Sequence, residues 1–146
     1  MKIALAQMKM EEDIEVNYKK SLDFIRKASS KGANLIFFPE IQLNRFFPQY
    51  SNLNKDDFFI TMDSKYIAGI CEKCRKNNIY AVPNFYIKEN DNEYDMCLFI
   101  DNNGKIMVIK KWFILLNLNI SMSKIITFPQ KRVLIFLILN LAKLVL

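Results

Sequence analysis

The stretch Asn34-Leu35-Ile36-Phe37-Phe38-Pro39-Glu40 decides the reading of this 146-residue chain. Four large apolar residues in succession, closed by a proline, are too short for a helix. They fit a strand buried on both faces. Upstream, from Asp13, the apolar residues Ile14, Tyr18, Leu22, Ile25 and Ala28 recur at helical spacing, and Gly32 stands where a helix stop belongs. Further upstream, Ile3–Met8 has the apolar content of a short strand. Strand, amphipathic helix and buried strand in succession form the βαβ pattern of an α/β domain.

Downstream the pattern repeats. Asp63 or Ser64 can cap a helix running through Asn77, with Ile67, Ile70, Cys71 and Cys74 on one face. Residues 79–87 (IYAVPNFYI) follow as a strand that Pro83 must end, break or confine to an edge. Tyr94–Ile100 and Lys105–Ile109, joined by Asp101-Asn102-Asn103-Gly104, read as a β-hairpin.

After residue 110 the chain changes character. Five of the 21 basic residues and none of the 15 acidic ones lie in 111–146, so most of the net charge of +6 comes from that tail. Trp112–Leu118 and Val133–Leu146 are apolar without a period of two or of 3.6. The uncharged run Val133–Ala142 is far short of the roughly 20 residues a membrane-spanning helix needs. Residues 1–110 are nearly neutral and carry no basic stripe, which argues against nucleic-acid binding. The N-terminus lacks a secretory h-region, and three cysteines make no disulfide framework, so a cytoplasmic address is expected.

Few residues carry chemistry. The chain has no histidine, so no imidazole base or His-ligated metal is available from it. Glu40 stands at the C-terminal end of a buried strand, the edge where α/β folds gather their sites. Phenylalanines flank it, at Phe37, Phe38, Phe46 and Phe47. Partial desolvation there would raise its proton affinity and suit a general base. The plainer alternative is a loop carboxylate that caps a backbone or pairs with Arg45. Lys110 and Lys111 follow the last hairpin strand, where a lysine can stabilise an oxyanion or simply be solvated. Cys71 and Cys74, inside a helix without further ligands, read as core, and Cys97 reads as strand packing. The aromatics Phe46, Phe47, Tyr50, Phe58 and Phe59 read as core or loop packing, since Asp56 and Asp57 interrupt any basic surface.

In order along the chain, MKIALAQM (1–8), GANLIFFPE (32–40), VPNFY (82–86) and LFIDNNGKI (98–106) resemble the nitrilase superfamily of carbon–nitrogen hydrolases. IQLNRFFPQY (41–50) resembles the amidase branch of the N-carbamoylputrescine amidase type. The resemblance covers residues 1–111. It implies the N-terminal half of an α-β-β-α sandwich, an enzyme without cofactor or metal, and hydrolysis of a small amide, N-carbamoyl compound or nitrile. It also implies a homo-oligomer that binds neither nucleic acid nor membrane. The family's Glu–Lys–Cys triad maps its glutamate onto Glu40 and its lysine onto Lys111, with Lys110 the second choice. The cysteine belongs to a later motif similar to CFDRH, which 112–146 does not contain.

The tail has a common explanation for both oddities. Read one base out of frame, with the free first letter of each hidden codon chosen, it can encode FYEQDYY, FDT and FGKIGI, segments similar to the family's continuation. Lys110-Lys111 supply an A-run on which one base can be lost. The expectation is a partial hydrolase domain at 1–111, an aberrant frameshifted tail at 112–146, and a chain without turnover. The competing reading is a non-catalytic domain that docks a partner or a membrane surface through the apolar tail.

Overall fold

The computed structural model describes residues 1–45, 47 and 55–113. The tail reading, beyond Phe113, and the aromatics Phe46 and Tyr50 lie outside the described residues. The elements are β1 (Ile3–Leu5), α1 (Ile14–Ser30), β2 (Leu35–Phe37), α2 (Lys65–Asn77), β3 (Tyr80–Val82), β4 (Asn84–Glu89), β5 (Asn92–Ile100) and β6 (Ile106–Phe113). They form an α/β arrangement on one mixed six-stranded sheet. β2 lies between β1 and β3, parallel to both. β3 and β4 both run antiparallel to β5, and β6 pairs antiparallel with β5 as well.

The helices start and stop where their caps dictate. Asp13 caps α1 by accepting from the Glu15 N–H at 2.8 Å, and Gly32, at φ +76°, turns the chain away after it. Ser64 is the cap of α2, and Asn78 closes it in the left-handed region at φ 49°. The expected strand 79–87 is split at Pro83, yet Pro83 still accepts from the Leu98 N–H at 3.0 Å, so one ladder along β5 continues past it. β1 is shorter than expected: Ala6 donates to the Phe37 carbonyl at 2.8 Å, and β2 ends there. The turn Asn90-Asp91, with φ of 50° and 61°, joins β4 to β5 in a second hairpin that the sequence reading did not identify.

One face of the sheet is closed by the helices. Ile25 and Ala28 of α1 and Ile67, Ile70 and Cys74 of α2 pack with Ile36, Ala81, Phe85, Ile87, Met96, Leu98 and Ile100. Alternation then places Asn84, Tyr86, Asp95 and Cys97 on the other face, since Asn84 pairs with Cys97 and Tyr86 with Asp95. Among the described residues no helix is long and apolar enough to cross a membrane.

The loop after β2 is fixed by buried amides rather than by apolar packing alone. Gln42, fully buried, donates its backbone N–H to the Asn84 carbonyl, and its side-chain oxygen accepts the Asn84 N–H, both at 3.1 Å. Its Nε2 reaches Ser21 Oγ at 3.1 Å on α1. Asn17, one turn earlier on α1 and also fully buried, donates to the Leu43 carbonyl at 2.9 Å. Asn44 donates to the Phe58 carbonyl at 2.8 Å. Around this loop Phe47 stacks on Phe58 and meets Tyr86, with ring centroids 4.8 and 4.7 Å away. Among the described residues no buried side-chain nitrogen or oxygen lacks a partner.

Two stability experiments follow from these contacts. Gly104, at φ +82°, brings the β5–β6 turn so close to α2 that a Cβ would lie 2.5 Å from the Cys71 carbonyl oxygen. Gly32 has a similar φ but open space around it. Gly32→Ala should cost only the backbone term, about 1–2 kcal/mol, and Gly104→Ala clearly more; equal urea midpoints for the two would contradict the close approach. Gln42→Ala leaves the buried Asn84 N–H unpaired and should lower unfolding free energy by about 1–3 kcal/mol. A loss within the error of chemical denaturation would mean that water or another group replaces the amide.

Candidate functional site

Glu40 begins the turn that follows β2, and the next residue, Ile41, has φ 50°. A β-branched residue in the left-handed region is strained, by roughly 1–2 kcal/mol. Here the strain is held by hydrogen bonds. The Ile41 N–H donates to Asn84 Oδ1, and its carbonyl accepts the Asn44 N–H at 3.0 Å. This fixed kink delivers the Glu40 carboxyl to the helix-free face of the sheet, against Asp95 of β5.

Glu40 as a residue keeps contact with solvent. Its carboxyl is nonetheless pushed up to about 7, first by partial burial and then by the charge of Asp95 and the hydrogen bond with it. Burial also raises Asp95, while hydrogen bonds from Asn84 and Glu40 pull it down. The rise expected from the sequence thus has a second cause besides burial. The second carboxyl was not singled out by the sequence reading. Arg45 does not pair with Glu40: its guanidinium reaches Glu12 at 3.1 Å.

Cys97 lies on the same face, two residues along β5. Burial pushes its thiol up to about 12, Asp95 adds to the rise, and Asn84 opposes it. Cys74 is also raised to about 12 by burial and is part of the helix-side core. Burial raises Cys71 as well. None of the three offers a ready thiolate.

The two candidate lysines differ in parity. β6 runs through Phe113, further than the hairpin reading gave, and pairs Lys110 with Cys97, Lys111 with Met96 and Trp112 with Asp95. Residues paired directly across an antiparallel ladder share a face. Position 110 therefore falls on the face of Asp95 and Cys97, and position 111 on the face of Met96, which is part of the helix-side core. Glu40, Asp95, Asn84 and Cys97 are brought together, with position 110 on their side of the sheet. Among the described residues no group of three or more His, Cys, Asp or Glu is placed to hold a metal ion.

The fold has known counterparts. Residues 2–120 match the family model described as carbon-nitrogen hydrolase. Among solved structures, the Caenorhabditis elegans NitFhit protein is 25% identical with a TM-score of 0.67, over 81% of this chain and 29% of that one. A carbon-nitrogen hydrolase from Helicobacter pylori G27 aligns at 13% identity and TM-score 0.68, over 75% of this chain and 38% of that one. An amidase from Nesterenkonia sp. aligns at 18% identity and TM-score 0.62, over 76% and 42%. No curated protein sequence matches significantly. The chain spans less than half the length of each of these solved relatives. With its mixed sheet matching part of theirs and the family model covering most of its length, the chain belongs to the carbon-nitrogen hydrolase family.

Proposed function

We propose that this chain carries the general-base half of a carbon–nitrogen hydrolase site, with Glu40 as the base. The observation behind this reading is a strand-end carboxyl, on a strained and fully hydrogen-bonded turn, whose proton affinity is raised to about 7. A base works best when that affinity lies near the working pH. The solved amidase is recorded with butyramide in one variant and with acrylamide added at its active-site cysteine in another. A small amide or N-carbamoyl compound is the substrate class we carry over to this chain.

In such a reaction Glu40 takes the thiol proton, and the thiolate adds to the carbonyl carbon. A lysine ammonium stabilises the oxyanion. The amine leaves with a proton returned from Glu40, and water then hydrolyses the thioester. For the lysine, the family resemblance favours Lys111, whereas strand parity favours Lys110. We take Lys110, because position 111 shares the face of Met96. The nucleophile is not Cys71, Cys74 or Cys97, because none of the three stands in a motif similar to CFDRH. The chain by itself is therefore inactive, and its relatives' oligomeric assembly and a cytoplasmic address remain parts of the same proposal.

Purified 146-residue protein should release no ammonia from butyramide or from an N-carbamoyl amine, and release above a no-enzyme control would overturn the reading. If one base restored at codons 110–111 opens a frame carrying a CFDRH-like motif, the longer product should hydrolyse such a substrate. In that product Glu40→Gln should lower kcat by about 100-fold or more; an unbroken frame without the motif would sink the frameshift.

The raised carboxyl also has a stability consequence. An unfolded glutamate has its ordinary value near 4.5 and the folded one about 7, so between them the folded state binds more protons. Stability then falls as pH rises through that window. The ion-paired carboxylates Glu11, Glu15, Asp23 and Glu72 are shifted downward, so their contributions are lost at lower pH. The difference in Tm between Glu40→Gln and wild type should grow in the variant's favour from pH 4.5 to 7. A constant difference would show that Glu40 is not raised.

A further inference from the structure

Asn84 joins two parts of the site that the Glu–Lys–Cys assignment does not connect. Its side chain bridges the loop after β2 and strand β5. Oδ1 accepts the buried Ile41 N–H, and Nδ2 donates to Asp95 Oδ1, each at 2.5 Å. A carboxamide has one end that only accepts and one that only donates, and exchanging the two leaves its outline almost unchanged. Packing therefore does not choose between the two orientations of Asn84; its partners do. A carboxylate oxygen accepts, so Asp95 admits only Nδ2, through a charge-assisted bond roughly twice as strong as a neutral one. With the amide reversed, both contacts fail together: Nδ2 meets the Ile41 N–H, and Oδ1 meets the Asp95 oxygen.

We propose that Asp95 is a positioning residue for Glu40 that acts through Asn84: its acceptor oxygen sets the orientation of the Asn84 amide, and the amide oxygen holds the Ile41 N–H and with it the turn that carries Glu40. Ile41 is buried and has φ 50°, so its N–H is expensive to release and its backbone relaxes once released. The task asks for an oxygen at position 95 and not for a charge there. Its catalytic meaning rests on Glu40 being the base, but the orientation of the amide exists without turnover.

The surroundings hold both ends of this relay in place. Asn84 is fixed at its backbone by Gln42, which donates to its carbonyl and accepts its N–H, so only the side-chain amide is left to be oriented. Asp95 is fixed by the β4–β5 ladder, where it pairs with Tyr86. Tyr86 gives its single hydroxyl hydrogen to Glu93 and therefore does not compete with Asn84 for Asp95.

The test is hydrogen exchange followed by NMR in the whole 146-residue chain. Asp95→Ala should speed exchange of the Ile41 N–H about ten-fold or more relative to Ile36 and Ala81, partners in the parallel ladder. Asp95→Asn, which keeps an oxygen for Asn84 Nδ2, should return Ile41 to near its wild-type rate. In an Asn84→Ala background, adding Asp95→Ala should change Ile41 no further, because the amide through which position 95 acts is gone. An Ile41 rate unchanged relative to the ladder in Asp95→Ala, or no rescue by Asp95→Asn, would overturn the proposal. If Asp95→Ala does not fold, wild type and Asp95→Asn decide it. In both, the Asn84 Nδ2 hydrogens should exchange about ten-fold or more slowly than those of exposed Asn103, and equal rates would overturn it. None of these readouts depends on substrate hydrolysis, so failure of the hydrolase reading and failure of the positioning role are separate results.

Discussion

The reciprocal hydrogen bonds between Gln42 and Asn84 are the constraint on which the site depends. Asn84 sits just after Pro83, at the point where the strand beside β2 is interrupted, and uses both its backbone and its side chain to hold the loop after β2. Such an arrangement is costly to leave half made, because each buried amide without its partner is expensive. It therefore exists complete or not at all. Completeness is what allows Ile41 to keep a backbone conformation it would avoid in isolation, and the kink at Ile41 is what turns Glu40 toward β5. Ser21 and Asn17 extend the same network into α1, so the helix orients the loop as well as covering the sheet.

Much of this fold was legible in the sequence because helices and buried strands announce themselves by local periodicity. Ile67, Ile70 and Cys74 fall on the buried face of α2 as their spacing predicts, and Ser64, one of the two cap candidates, caps it. The face of α1 was only partly readable. Its apolar positions mark the stripe, but Asn17 and Ser21 are fully buried within it. A polar residue on an apolar stripe is ordinarily read as its margin; that these two have partners in a loop some 20 residues away is a tertiary fact. The Asn90-Asp91 turn carried a local signal, two residues tolerant of left-handed backbone between strand-like runs, and it was passed over.

The site was legible in a different measure. Glu40 could be picked out from its place after a buried strand. Its partner could not, although the alternation Tyr94, Asp95, Met96, Cys97, Leu98 already puts Asp95 and Cys97 opposite the core-facing Met96 and Leu98. That alternation gives a face, and only the sheet order says that Glu40 reaches the same face. The lysines show the limit most clearly. One residue of register moves a side-chain position from one face to the other, so the description "just after the strand" fits Lys110 and Lys111 equally. The pairing with β5 separates them.

The energetics of Glu40 can also be followed beyond the described residues. Any further chain laid over this face excludes water and raises the carboxyl from its present value of about 7, favouring the protonated acid. A lysine ammonium brought within ~4–6 Å acts in the opposite sense and favours the carboxylate. Asp95 adds to the first effect and competes for the second, since an ammonium shared between two carboxylates stabilises both. A lysine ammonium beside Glu40 therefore offsets the rise that burial and Asp95 produce.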